Sequence, residues 1–170
     1  MGPSGLRARS FPPTLYMEVS NISYQTAPES IRTAIPDEVF ADLPSDVVER
    51  AAVVAARTAE YRGGVNPVVL AMPSNTAMGE YFVIASASNQ RLVGSLIRSI
   101  EDEVRRWSGY PPPNKEGLDD RQWALLDYGD FVVHVFDVDA REFYDLERLW
   151  GDAPRRAWKP QPTSSTDAAD

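Results

Sequence analysis

The chain has 170 residues, 43% of them hydrophobic, enough for one domain with a real core plus tails. It has no cysteine, so disulfides, thiolate metal sites and a cysteine nucleophile are excluded, and a reducing, cytoplasmic setting is expected. A formal net charge of −8 disfavours extensive contact with nucleic acid, whose phosphates are bound through Lys and Arg, and suits a basic protein partner instead.

Residues 1–43 are rich in Pro, Ser and Thr and read as a largely irregular N-terminal extension. Arg7 and Arg9 are followed by no apolar stretch of the kind a secretory signal needs. Residues 15–24 allow at most a short strand, and 37–43 a helical turn after Pro36. No run of about 18 apolar residues occurs anywhere, so no membrane span is expected.

The first helix is expected from Pro44-Ser45, with Ser45 as its cap and Asp46 and Glu49 complementing the dipole. Val47, Ala51, Val54, Thr58 and Tyr61 step by four and three and define a face to bury. Its alanines make that face thin, which calls for close packing. Gly63-Gly64 stops it. Residues 67–72 (PVVLAM) and 81–85 (YFVIA) read as strands, the second apolar throughout, as in a central strand covered on both faces.

Ser86, Ser88 and Asn89 each offer a cap to the next helix, over 89–108. There Leu92, Val93, Leu96, Ile97, Ile100, Val104 and Trp107 form one stripe at period 3.6. Gly109 and the prolines at 111–113 end it, and 110–115 is admissible as an edge strand.

Residues 123–136 (WALLDYGDFVVHVF) predict a β-hairpin, with two apolar runs flanking Asp127-Tyr128-Gly129-Asp130. Asp and Gly supply the turn chemistry. Asp127, Tyr128 and Asp130 would then gather at one end, with Trp123 at the far end of the first strand. Trp123 is open to two roles, core burial or partner contact. A helix over 140–150 follows, with Asp139 placed to cap it. Phe143, Leu146 and Leu149 are expected in the core, while Tyr144 and Trp150 could serve the core or a homodimer surface. Residues 155–170 read as a disordered tail, leaving 44–154 as the folded domain. The order of elements implies an α/β (α+β) fold, a mixed β-sheet of about five strands with helices packed on it.

Catalysis finds little support. Asp137 and Asp139 follow a strand and could hold Mg²⁺ for nucleotidyl transfer, the rival function. That chemistry also needs a phosphate cradle, and the candidate Gly94-Ser95 falls inside the long helix. His134 is the single histidine and reads as a packed, hydrogen-bonded residue. No catalytic residue, metal site or cofactor is expected.

Four stretches resemble a known family, the ribosomal silencing factors or Iojap family: EYFVIAS at 80–86, SNQR at 88–91, WALLDYGD with VVHV within 123–135, and REFYDLERLW at 141–150. The resemblance spans roughly residues 45–154. The family usually has a Thr-Asp or similar pair where this chain has Gly79-Glu80, and it lacks the long N-terminal extension. The resemblance implies a nucleotidyltransferase-like fold without catalysis. It also implies binding to the large ribosomal subunit through ribosomal protein fourteen, which blocks joining of the small subunit, with a possible part in large-subunit maturation. By position it assigns partner contact to Trp123, Tyr128 and Asp130, with Asp127 close by.

Overall fold

The structure, a computed structural model, describes residues 34–160. The strand admitted at 15–24 lies outside the described residues. After a 3-10 turn at Asp37–Phe40 come α1 (Val47–Tyr61), β1 (Val65–Ala71), β2 (Tyr81–Ala87) and α2 (Gln90–Ser108). β3 (Asn114–Glu116), β4 (Trp123–Asp127), β5 (Phe131–Asp137), α3 (Val138–Tyr144) and α4 (Leu146–Leu149) complete the fold.

The five strands form one mixed sheet in the order β1-β2-β5-β4-β3. β2 runs parallel to β5, and the other pairs are antiparallel. β2 and β5 are interior and their apolar runs are buried on both faces, as a continuous apolar strand requires. One face carries Val83, Ala85, Ala124, Leu126, Phe131, Val133 and Val135 against α1 and α2. The other carries Val68, Leu70, Phe82, Ile84, Val132 and Phe136 beneath Leu146.

Local chemistry sets the element ends. Asp46, not Ser45, caps α1 by accepting from the Glu49 amide at 2.8 Å. Asn89 caps α2 through the Leu92 amide at 2.9 Å. The buried arc of α1 is broader than one stripe and is displaced from it. Ala51, Val54 and Thr58 are buried as expected, along with Val53, Ala55, Ala56 and Ala59, whereas Val47 and Tyr61 at the ends are exposed. Small alanines let the sheet, α2 and the flanking segments all close on this helix. β3 is a short exposed edge strand that begins only after the three prolines.

The folded unit extends past 44–154 at both ends. Ile35 and Phe40 are buried, Phe40 lying 5.0 Å from the Trp107 ring. Residues 155–158, expected in the tail, belong to the fold together with Pro154. They pair along the free edge of β1, where the Ala71 amide donates to Pro154 and the Arg156 amide to Val69, each at 2.8 Å. The exposed β1 edge offered these hydrogen bonds, and Trp158 is buried behind them.

The C-terminal helix departs from a single 140–150 span. Asp145 adopts the left-handed conformation, φ 43°, and divides α3 from α4. The redirected chain buries Leu146 but leaves Phe143 82% and Leu149 71% exposed, so these two are not core residues. The cap is Asp137, which accepts from the Ala140 amide at 2.8 Å, because the helix starts at Val138; Asp139 lies in its first turn.

Arg57 joins the two ends of the unit. It is 4% exposed, and its guanidinium donates to the main-chain carbonyls of Trp158 at 2.6 Å, Val39 at 3.2 Å and Ala41. Burial lowers its pKa, opposed by nearby Asp42. We expect Arg57→Met to lower unfolding free energy by roughly 2–4 kcal/mol, since those carbonyls lose their donor. A urea titration checks this.

His134 lies on the α3 side of β5, 5% exposed, edge-on to Phe82 at 4.7 Å. Burial lowers its pKa from 6.5 to about 4. Between those values the unfolded chain binds the extra proton, so stability is fully present above about 6.5 and falls as pH drops toward 4. The expected loss is about 3 kcal/mol. Urea midpoints across this range should fall less in His134→Leu than in the parent.

Candidate functional site

The hairpin predicted from the sequence is formed by β4 and β5, paired from Trp123 with Phe136 to Asp127 with Val132. Its turn closes by a 3.1 Å bond from the Tyr128 amide to the Phe131 carbonyl. Gly129 takes φ +84°, and its amide donates to Asp127 Oδ1 at 2.8 Å. Asp127 thus shapes the turn as well as charging it.

Strand alternation divides the candidate residues between the faces. Ala124 and Leu126 point into the helix-covered core, while Trp123, Leu125 and Asp127 lie half-buried on the other face. Trp123 and Asp127 share that face about 13 Å apart, four strand residues at about 3.3 Å each. The sheet does not bring Trp123 next to the turn.

Trp123 is neither core nor free surface. Its ring stacks on Phe136 at 5.0 Å and 21°, and lies 4.8 Å from Tyr144. Its Nε1–H donates to His134 Nδ1 at 3.2 Å, the hydrogen bond expected of a packed histidine. Tyr144, exposed at the end of α3, joins this aromatic ledge beside exposed Phe143.

Asp130 is exposed at the turn and fixed from two directions. Its Oδ2 accepts from the Tyr110 hydroxyl at 2.8 Å, and its main-chain carbonyl accepts from the Glu80 amide at 2.6 Å. Gly79 allows this approach: it has φ +90°, and a Cβ there would sit 2.7 Å from the Asp130 carbonyl oxygen. The Gly79-Glu80 pair is therefore what seats the turn.

Tyr128 faces the opposite way. Its ring stacks parallel to Phe131 at 4.5 Å, edge-on to Tyr110, and packs against the helix-side core. Its hydroxyl is buried without a hydrogen-bond partner among the described residues, and burial raises its pKa. Burial and then Asp130 raise that of Tyr110 likewise. Tyr110 was not legible as a site residue: nothing in a proline-flanked tyrosine signals a contact twenty residues away.

α3 is held by Arg141, whose Nη1 donates to Ser86 Oγ and to the Val65 carbonyl, each at 3.0 Å, while Nη2 pairs with Glu147 at 2.5 Å. This anchors the Tyr144 wall of the ledge. Asp137 and Asp139 stand with Ser88, Asn89 and Arg91 around an open depression where β2 and β5 end. Asp137 is engaged as the α3 cap, and Gly94 and Ser95 lie within α2. Among the described residues, no three His, Asp or Glu side chains cluster to hold a metal, and no helix is long and apolar enough to cross a membrane.

Comparison with known proteins places this arrangement. The family model described as ribosomal silencing factor during starvation matches residues 44–170. The ribosomal silencing factor RsfS of Bacillus subtilis is 36% identical over 101 residues, 59% of this chain and 85% of its own length. A mouse protein named mitochondrial assembly of ribosomal large subunit protein 1 is 29% identical over 84 residues, 48% of this chain but 37% of its own. A crystal structure of a protein from Chromobacterium violaceum shares 26% identity at a TM-score of 0.57, covering 72% of this chain and 95% of that one. On the strength of the family match, the chain belongs to the ribosomal silencing factor (RsfS) family.

Proposed function

We propose that this chain binds the large ribosomal subunit through ribosomal protein fourteen and prevents the small subunit from joining by occupying its place. The observation that carries the reading is the surface of the β4–β5 hairpin. A half-buried tryptophan on an aromatic ledge shares its sheet face with Asp127, and Asp130 projects from the turn. Ribosomal proteins present basic surfaces, to which the two carboxylates can offer charge-assisted bonds. Trp123 supplies the rigid, large-area contact typical of an interface anchor. Steric exclusion needs no bond made or broken.

In this reading the four hairpin residues divide the work. Trp123, Asp127 and Asp130 touch the partner, and Tyr128 supports the turn from behind. The mouse relative's name, with its reference to large-subunit assembly, supports a second role in maturation of that subunit. Exposed Phe143, Tyr144 and Leu149 supply an apolar surface on which two copies could associate, and sedimentation over a range of concentrations tests it. Nucleotidyl transfer through Asp137 and Asp139 has weaker support, because Asp137 is committed to its cap and Gly94-Ser95 has its amides within a helix.

Co-sedimentation of the full chain with isolated large and small subunits tests the main reading. The parent should travel with the large subunit alone. Trp123→Ala and Asp130→Arg should each weaken this binding by about thirtyfold or more while the fold, followed by circular dichroism, is retained. Parental affinity in a folded Asp130→Arg protein would remove the hairpin from the interface.

A further inference from the structure

His134 is the chain's only histidine, and its position is an expensive one for a polar ring. It sits among Phe82, Phe136 and Trp123, and its Nε2 is buried with no hydrogen-bond partner among the described residues. Because Nδ1 accepts from Trp123, the neutral ring carries its proton on Nε2, and that donor goes unused. An apolar residue here would remove the buried, unused Nε2 donor, and would take from the part-buried Trp123 Nε1–H only this one acceptor. Polar groups retained at such a cost are commonly found where function asks for them.

Among the described residues, the one side-chain hydrogen bond of His134 is to the residue read as the docking anchor. In the strand register Trp123 faces Phe136 and Leu125 faces His134, so the histidine is the diagonal neighbour of the tryptophan. Stacking on Phe136, with the Tyr144 ring tilted against it, limits the indole to a plane but leaves it free to slide and turn over. The directional bond to Nδ1 selects one edge of the ring to face inward. We propose that His134 is a positioning residue for docking: it fixes the Trp123 indole in one orientation before the partner arrives. This rests on the docking reading given above.

An indole ordered only on binding should weaken affinity on the order of threefold to tenfold. We therefore expect His134→Leu to bind purified large subunits that much more weakly, with no fall in its urea midpoint at neutral pH. The Trp123 indole N–H resonance in a ¹H–¹⁵N spectrum should also move upfield as its acceptor is lost. His134→Asn, whose side-chain oxygen can stand near the former Nδ1, should recover part of the affinity and of the resonance position.

A double-mutant cycle isolates the hydrogen bond from packing. Trp123→Phe keeps an aromatic ring but removes the donor, so adding His134→Leu to it should change affinity no further. Equal weakening in both backgrounds, or parental affinity in His134→Leu, overturns the positioning role; His134→Phe replaces the leucine variant if that protein does not fold. Trp123→Ala measured alongside separates the two readings. If it binds like the parent, the docking reading itself falls; if it loses binding while His134→Leu does not, only the positioning role falls.

Discussion

Everything in this fold follows from β5 being buried on both faces in the middle of the sheet. Each of its large apolar side chains gains about 1.5–3 kcal/mol when the face it projects from is covered, and because they project from both faces, both must be. Its parallel partner β2 cannot be reached by a tight turn, so the chain must cross over between them, and α2 with the β3–β4 edge fills that connection. The helix side is closed by two long helices and the 154–158 segment. Among the described residues the other side has only the short α3 and α4, which reach Trp123 through Tyr144 but leave β4 half-covered.

That shortage produces the exposed surface. Leu146 and Trp150 cover the β1–β2–β5 part of the second face, and Arg141 ties α3 to the sheet through Ser86 and Val65. Beyond it, Trp123, Leu125 and Asp127 stay half-exposed on a strand whose other face is wholly core. A residue on such a strand cannot move without disturbing the core behind it. This face is therefore rigid by construction, and in the docking reading proposed above little ordering is left to do on binding.

The turn is made rigid in a different way. Asp127 spends one oxygen on the Gly129 amide, Asp130 is held by Tyr110 and the Glu80 amide, and Tyr128 wedges against Phe131. The negative charges expected to meet a basic partner are thus carried by groups whose backbone is already fixed. The broken C-terminal helix leaves Phe143 and Leu149 outside, while Leu146 and Trp150 cover the sheet beneath it.

Patterning alone determined much of this protein. The period-3.6 stripe of α2, the apolar runs of β2 and β5 and the Asp-Gly turn each reflect a constraint that acts within a dozen residues. The four quoted motifs likewise pointed to the family that the comparisons then established. The hairpin's dual character, with Trp123 and Tyr128 on opposite faces, was implicit in strand alternation but depended on which face the short helices cover. Only the tertiary structure decided that. It also decided the cap at Asp137, the break at Asp145, the pairing of 154–158 with the β1 edge, and the convergence of Tyr110 on Asp130 and of His134 on Trp123. These are contacts between distant or competing positions, where several local choices are nearly equal in energy and packing selects among them.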